Sequence, residues 1–255
     1  MIRISIVILS FVATSLAFAE ELDHILAMNA NAHGGEAYSD IQAIKVELHI
    51  KEPTFEVTGT YIASREGLMR IDIYSGKERV FAEGLTSKCA WEWNPGQSAE
   101  ELGACVGETE TGALRHGIEM PGNFYTLKDV GERGAKVYLV GEIETDSGPE
   151  WQVRVTLSDG FSRDYFISQE SNRITRARDY RAFHPGIDPT EVAIETRFED
   201  PESIEGVLRF RQQVNVNADT DEVLGTTTVR SVEFNPDVSA ETFEAGWVPV
   251  GEAER

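Results

Sequence analysis

The chain has 255 residues, 41% of them hydrophobic, with 44 acidic and 23 basic side chains and a formal charge of −21. That length and apolar content suit one large domain with a real core. A charge of this sign and size repels nucleic acid and anionic lipid headgroups, so nucleic-acid partners are not expected.

Arg3 precedes an apolar run from Ile4 to Leu16, which ends in Ala17-Phe18-Ala19. A basic start, a short apolar stretch and a small-x-small end predict a secretory signal peptide over residues 1–19. The run falls short of the ~20 apolar residues that a membrane-spanning helix needs. Glu20 follows, so no cysteine stands there to take a lipid. The expected mature protein is one domain over residues 20–255: secreted, soluble, periplasmic and not lipid-anchored. That compartment is oxidising and poor in nucleotide cofactors, and no cofactor is expected. Cys89 and Cys105 are the only cysteines, sixteen apart, and read first as a disulfide, with a free or intermolecular pair as the alternative.

Leu22, Ile25, Leu26 and Met28 fall at helical spacing within residues 22–32, and Gly34-Gly35 ends that helix. A short turn over residues 36–43 follows, and the period then changes to two. Ile44, Val46, Leu48 and Ile50 alternate with charged or polar residues, as do Phe55 to Tyr61 and Met69 to Ile73. Turns at Arg65-Glu66-Gly67 and Ser75-Gly76-Lys77 lead to strands at Val80–Ala82 and Ser87–Trp93.

Residues 94–123 break the rhythm with repeated glycine and proline, and helical turns are expected around Ala99–Leu102 and Thr111–Glu119. So long an irregular stretch is either a lid or binding loop, or a surface excursion without a role. Strands then resume at Val137–Ile143, Trp151–Leu157, Tyr165–Ile167, Arg173–Phe183, Val192–Phe198, Leu208–Val216 and Thr226–Phe234, before a tail with Asp237, Phe243 and Trp247. About eleven strands joined by short turns predict a mainly β fold. The expected form is a curved antiparallel sheet making an incomplete β-barrel, with an N-terminal helix and a short helical lid over the concave face. Each strand shows one apolar face, so the sheet should bury one side only. The helical material is too meagre to cover that side, which predicts a hydrophobic cavity.

Catalytic and metal signatures are weak. His24, His33, His49, His116 and His184 include no H-x-x-x-H pair, so no metal site is expected. Asn215, Asn217, Asp219 and Asp221 fail the calcium-loop pattern, because Thr220 and Thr226 stand where glycine and glutamate are required. No G-x-S-x-G elbow is present. Acidic pairs such as Glu100 and Glu101 carry no information in so acidic a chain.

The chain resembles the LolA/LolB-like periplasmic lipoprotein-carrier superfamily over essentially its whole mature length. The resemblance rests on a helix ending in Ala32-His33-Gly34-Gly35 and on Ile41-Gln42-Ala43-Ile44 at the entry to the first strand. Ala90-Trp91-Glu92-Trp93-Asn94-Pro95 and the Thr228-to-Phe243 stretch complete it. It implies a half-barrel with helices as a lid over a cavity that takes acyl chains.

Three functions follow as expectations. The first is a non-enzymatic carrier or sensor of a lipid, acyl chain or lipoprotein, with a lipid or lipidated protein as partner. Its cavity-lining candidates are Val46, Leu48, Val57, Tyr61, Met69, Ile71, Leu139, Val153 and Val155, which could equally form an ordinary core. The alternative is an interaction module of the same fold that docks an envelope protein without a lipid. A secreted hydrolase is the third; it would need a converging acid or histidine cluster that sequence cannot place.

Overall fold

The computed structural model describes residues 7–97, 105–184 and 188–246, with side chains from residue 20 onward. The turn expected at Ala99–Leu102, Glu100, Glu101 and Trp247 lie outside the described residues. The twelve strands are β1 (Ala43–Lys51), β2 (Glu56–Ser64), β3 (Met69–Ser75), β4 (Glu78–Leu85), β5 (Ala90–Trp93), β6 (Lys136–Thr145), β7 (Gly148–Thr156), β8 (Ser162–Ser168), β9 (Ile174–His184), β10 (Asp188–Ile204), β11 (Val207–Asn217) and β12 (Val223–Phe234). They form one curved antiparallel sheet in the order β5-β4-β3-β2-β1-β12-β11-β10-β9-β8-β7-β6. The first and last strands pair at its centre, Val46 opposite Val232. The sheet does not close into a barrel, because β5 and β6 stand at opposite ends of the order. These two strands are consecutive in sequence, so residues 94–135 connect one edge to the other.

Helix α1 (Val7–His33) is longer than the expected residues 22–32, and runs unbroken through the expected processing point. Among the described residues no helix is long and apolar enough to cross a membrane. On its described part Ile25, Leu26, Asn29 and His33 are buried along one face, the spacing that presses a helix onto a sheet. Two more helices, α2 (Glu108–Glu119) and α3 (Leu127–Glu132), follow β5. The turn expected over residues 36–43 is a 3-10 helix at Gly35–Tyr38. Both hairpin turns are in place, with Gly67 and Gly76 at positive φ, where a side chain would be strained. Cys89 and Cys105 are joined as a disulfide.

Because successive side chains alternate across a strand, cross-strand partners share a face. Val46, Tyr61 and Ile71 lie in register across β1, β2 and β3 on the inner face. The main core forms there, where Ile44, Met69, Leu85, Val153, Val155 and Ile167 meet α1 and the segment between β5 and β6.

Two expectations need correction. The cover over the inner face is not meagre, and irregular chain supplies much of it. Met120, Phe124 and Tyr125 are as buried as Ile118, Leu127 and Val130 on the flanking helices. Loop residues at no regular spacing give no periodic signal, which hides this cover from a pattern reading. The sheet also buries part of its outer face. Ile62, Ala82 and Trp91 are buried there beneath a C-terminal 3-10 helix (Ala240–Phe243), whose Phe243 is 2% exposed. Arg70 and Asp72 read as wet positions, yet they are 0% and 1% exposed because they neutralise each other, Arg70 Nε donating to Asp72 Oδ2 at 2.6 Å.

Candidate functional site

A cavity of about 100 Å³ opens where the end of α1, the loop at residues 121–126 and the strands β8 to β12 converge. Asn29 and His33 sit one helical turn apart and so project from the same face of α1. Asn29 Nδ2 donates to the Asn172 carbonyl at 2.9 Å, and the Ile174 amide donates to His33 Nε2 at 3.1 Å. Both bonds fasten the helix to the β8–β9 turn. The glycine after His33 has a steric cause. Gly34 has φ +127°, and a Cβ there would come within 2.7 Å of the Gly206 carbonyl oxygen.

The loop is held from three directions. Tyr38 Oη donates to the Gly122 carbonyl at 2.7 Å, and Arg209 Nη1 donates to the same oxygen at 2.9 Å. Arg209 Nη2 donates to Asn123 Oδ1, whose Nδ2 donates to Tyr61 Oη at 3.2 Å. Arg65 Nε donates to the Ile41 carbonyl, and its guanidinium lies 5.1 Å from the centre of the Tyr125 ring. A reciprocal capping box between Thr126 and Asp129 starts α3 immediately after the loop.

The walls are mixed. Phe198 and Phe210 pack with ring centres 5.2 Å apart and, with Ile174, Leu208 and Val229, supply the apolar part. One polar atom on a wall residue lacks a hydrogen-bond partner: Asn29 Oδ1, on a residue 1% exposed, while the equally buried Tyr165 hydroxyl lies beside the Arg163 guanidinium. A buried orphan of this kind costs about 1–3 kcal/mol, which a bound group can recover. Burial, then the charges of Arg173 and Arg209, push the His33 pKa down to about 4. The ring is therefore neutral at physiological pH. Burial also raises the Tyr165 and Tyr38 hydroxyl pKa values.

None of the nine residues proposed from sequence lines this cavity. Val46, Met69, Val153 and Val155 belong to the main core, and Leu48, Tyr61, Ile71 and Leu139 pack against it. Val57 is partly exposed on β2. Tyr61 comes nearest the cavity, through its bond to Asn123. Sequence reasoning did not find Asn29, Tyr165 and Arg209, which lie far apart in the chain. The His33-Gly34-Gly35 motif was the one available pointer. Among the described residues no group of three acidic, histidine or cysteine side chains is placed to hold a metal. Three other histidines each face a carboxylate: His49 with Glu56, His116 with Asp159 and His184 with Glu52.

No protein-family model and no curated protein matches the chain. Solved structures do. A LolA superfamily protein from Nitrosomonas europaea is similar over 87% of this chain and 96% of its own, at 13% identity and a TM-score of 0.55. A domain assigned as an outer membrane lipoprotein-sorting protein, from Vibrio parahaemolyticus, aligns over 86% and 95% at 9% identity and a TM-score of 0.49. A DUF1329 family protein from Desulfovibrio piger aligns over 88% and 97% at 12% identity and a TM-score of 0.46. With its single open antiparallel sheet, N-terminal helix and covering segment, the chain has the LolA-like fold.

Proposed function

We propose that this chain is a secreted periplasmic binding protein that takes the apolar part of a lipid or acylated molecule between the inner face of its sheet and the segment at residues 105–132. One observation carries the reading: the cavity at the seam between cover and sheet, with an aromatic wall and an unpartnered polar atom, Asn29 Oδ1. The disulfide and the apolar leader fit an oxidising extracytoplasmic compartment. The role proposed is binding, without catalysis.

A cavity of about 100 Å³ is smaller than the ~300–1,000 Å³ usual for ligand pockets. A longer chain therefore enters only when the cover lifts. Lifting it would turn Val46, Leu48, Val57, Tyr61, Met69, Ile71, Leu139, Val153 and Val155 toward the ligand. The test is native mass spectrometry of gently extracted protein, combined with titration of a fluorescent fatty acid. A retained lipid and saturable binding are expected; an empty protein that binds no probe overturns the reading.

A second reading, an interaction module, draws on the edge strand β6, where Tyr138 and Val140 are 44% and 46% exposed. An apolar sheet edge is a template for another chain. A stoichiometric periplasmic partner bound to a lipid-free protein, and lost on Val140→Lys, would favour it.

A further inference from the structure

The inner face carries a second polar feature next to the cavity. Arg163 stands directly opposite the core residue Val155 across β7 and β8, so its side chain lies on the inner face. It shares Asp179 with Arg181. Arg163 Nε donates to Asp179 Oδ2 at 2.6 Å, and Arg181 Nε donates to Oδ1 at 2.9 Å. Asp179 is 5% exposed, whereas the arginines keep 22% and 35% of their side chains accessible. Two guanidinium groups thus bear on one carboxylate, and the cluster is net positive in a chain of charge −21. Among the described residues Arg181 gives Asp179 its Nε alone, which leaves terminal donors over.

The surroundings point inward as well. The Arg163 guanidinium lies 5.6 Å from the Phe161 ring centre, and Phe161 stacks on His116 of α2 at 4.0 Å. The cluster therefore lies at the seam between the cover and the sheet. Tyr165, two residues from Arg163 on the same strand face, joins it to the cavity. Tyr165 lines the cavity, and its buried hydroxyl lies beside the Arg163 guanidinium.

We infer that Arg163, Arg181 and the Tyr165 hydroxyl form a headgroup site for the carboxylate of an acyl chain, whose hydrocarbon runs along the aromatic wall of Phe198 and Phe210. The inference rests on the carrier reading and adds the class of ligand. A planar carboxylate matches the fork of a guanidinium, and one negative charge matches the surplus of one positive charge. Neutral lipids of equal length lack this contact.

The test compares hexadecanoate, hexadecanol and hexadecyl phosphate as competitors of a fluorescent probe on the full mature chain. Wild-type protein should prefer hexadecanoate to hexadecanol by about tenfold or more, as a charge-assisted bidentate contact provides. The Arg163→Gln/Arg181→Gln variant should lose that preference while it still binds hexadecanol, and the double lysine variant should regain part of it. Melting temperature and circular dichroism check that each variant folds. Equal affinity for acid and alcohol, or a preference that survives the double glutamine variant, overturns the headgroup site alone. Tighter binding of the phosphate overturns the commitment to a carboxylate. Binding of no probe at all overturns the carrier reading instead.

Discussion

Gly84 and Trp91 face each other across β4 and β5, and the indole lies so close that a Cβ on Gly84 would come within 2.5 Å of it. The same indole donates from Nε1 to the Phe243 carbonyl at 2.7 Å, so the absence of one side chain places the ring that holds the C-terminal segment. Gly84→Ala should lower stability by about 1–3 kcal/mol, the usual cost of overpacking. It should also expose the chain near Phe243 to protease. Urea unfolding and limited proteolysis measure both, and a variant with wild-type stability and an uncut tail would contradict this account.

The Arg70–Asp72 pair beneath that segment is buried, and Arg70 Nη1 also donates to the Glu244 carbonyl at 2.9 Å. Asp72→Asn should cost about 3–5 kcal/mol, because it removes the buried carboxylate on which both Arg70 and Arg79 bear. Replacing both partners with apolar residues, as in Arg70→Met/Asp72→Leu, should recover much of that loss. The denaturation midpoints of the two variants decide the point, and equal midpoints would argue against an electrostatic cause.

The Cys89–Cys105 disulfide closes a loop of sequence separation 16. Reduction, or replacement of both cysteines by serine, should cost about 3 kcal/mol through the loop entropy returned to the unfolded chain. Thermal unfolding with and without reductant should give matching shifts for wild-type protein, and no shift for the double serine variant.

Two groups pull the pH dependence of stability in opposite directions. The folded pKa of His33 is about 4, below the ordinary 6.5, so its contribution is lost as pH falls from 6.5 toward 4. Glu83 faces Glu92 across β4 and β5; burial first, then that neighbour, raises its pKa to about 7. Its contribution is present below the ordinary pKa and is lost as pH rises toward 7. Each amounts to about 3 kcal/mol at most. Between pH 4.5 and 6.5 the two slopes offset each other. Glu83→Gln should therefore unmask a stability that rises with pH in this window, and His33→Gln one that falls. Unfolding free energies in a buffer series from pH 4 to 8 show whether the slopes separate.

Strands were legible because alternation such as Ile44, Val46, Leu48 and Ile50 specifies both extent and face, and because turns such as Arg65-Glu66-Gly67 carry their own chemistry. The charged residues of the strand from Arg173 to Phe183 predict one wet face, and the buried Asp179 shows why charge alone does not assign a residue to it. A polar residue goes inward when a partner two residues away or on the next strand satisfies it. Helix α3 is six residues long, too short for a period, and Phe124 and Tyr125 precede it in irregular chain. The cavity depends on Asn29, Tyr165 and Arg209 meeting in space, and no local pattern encodes that meeting. The outer-face burial of Trp91 waits on Phe243, which lies 152 residues away in the chain.

The path of residues 94–135 from β5 to β6 has a mechanical meaning. A sheet with two free edges can flatten, but here the two outermost strands are ends of one tether drawn across the mouth. The disulfide anchors its first part to β5, and helices α2 and α3 take up most of the remainder. The tether gains slack only when a helix melts or the loop between them straightens. A cover that lifts therefore draws on both outermost strands, and the curl of the sheet is expected to relax with it.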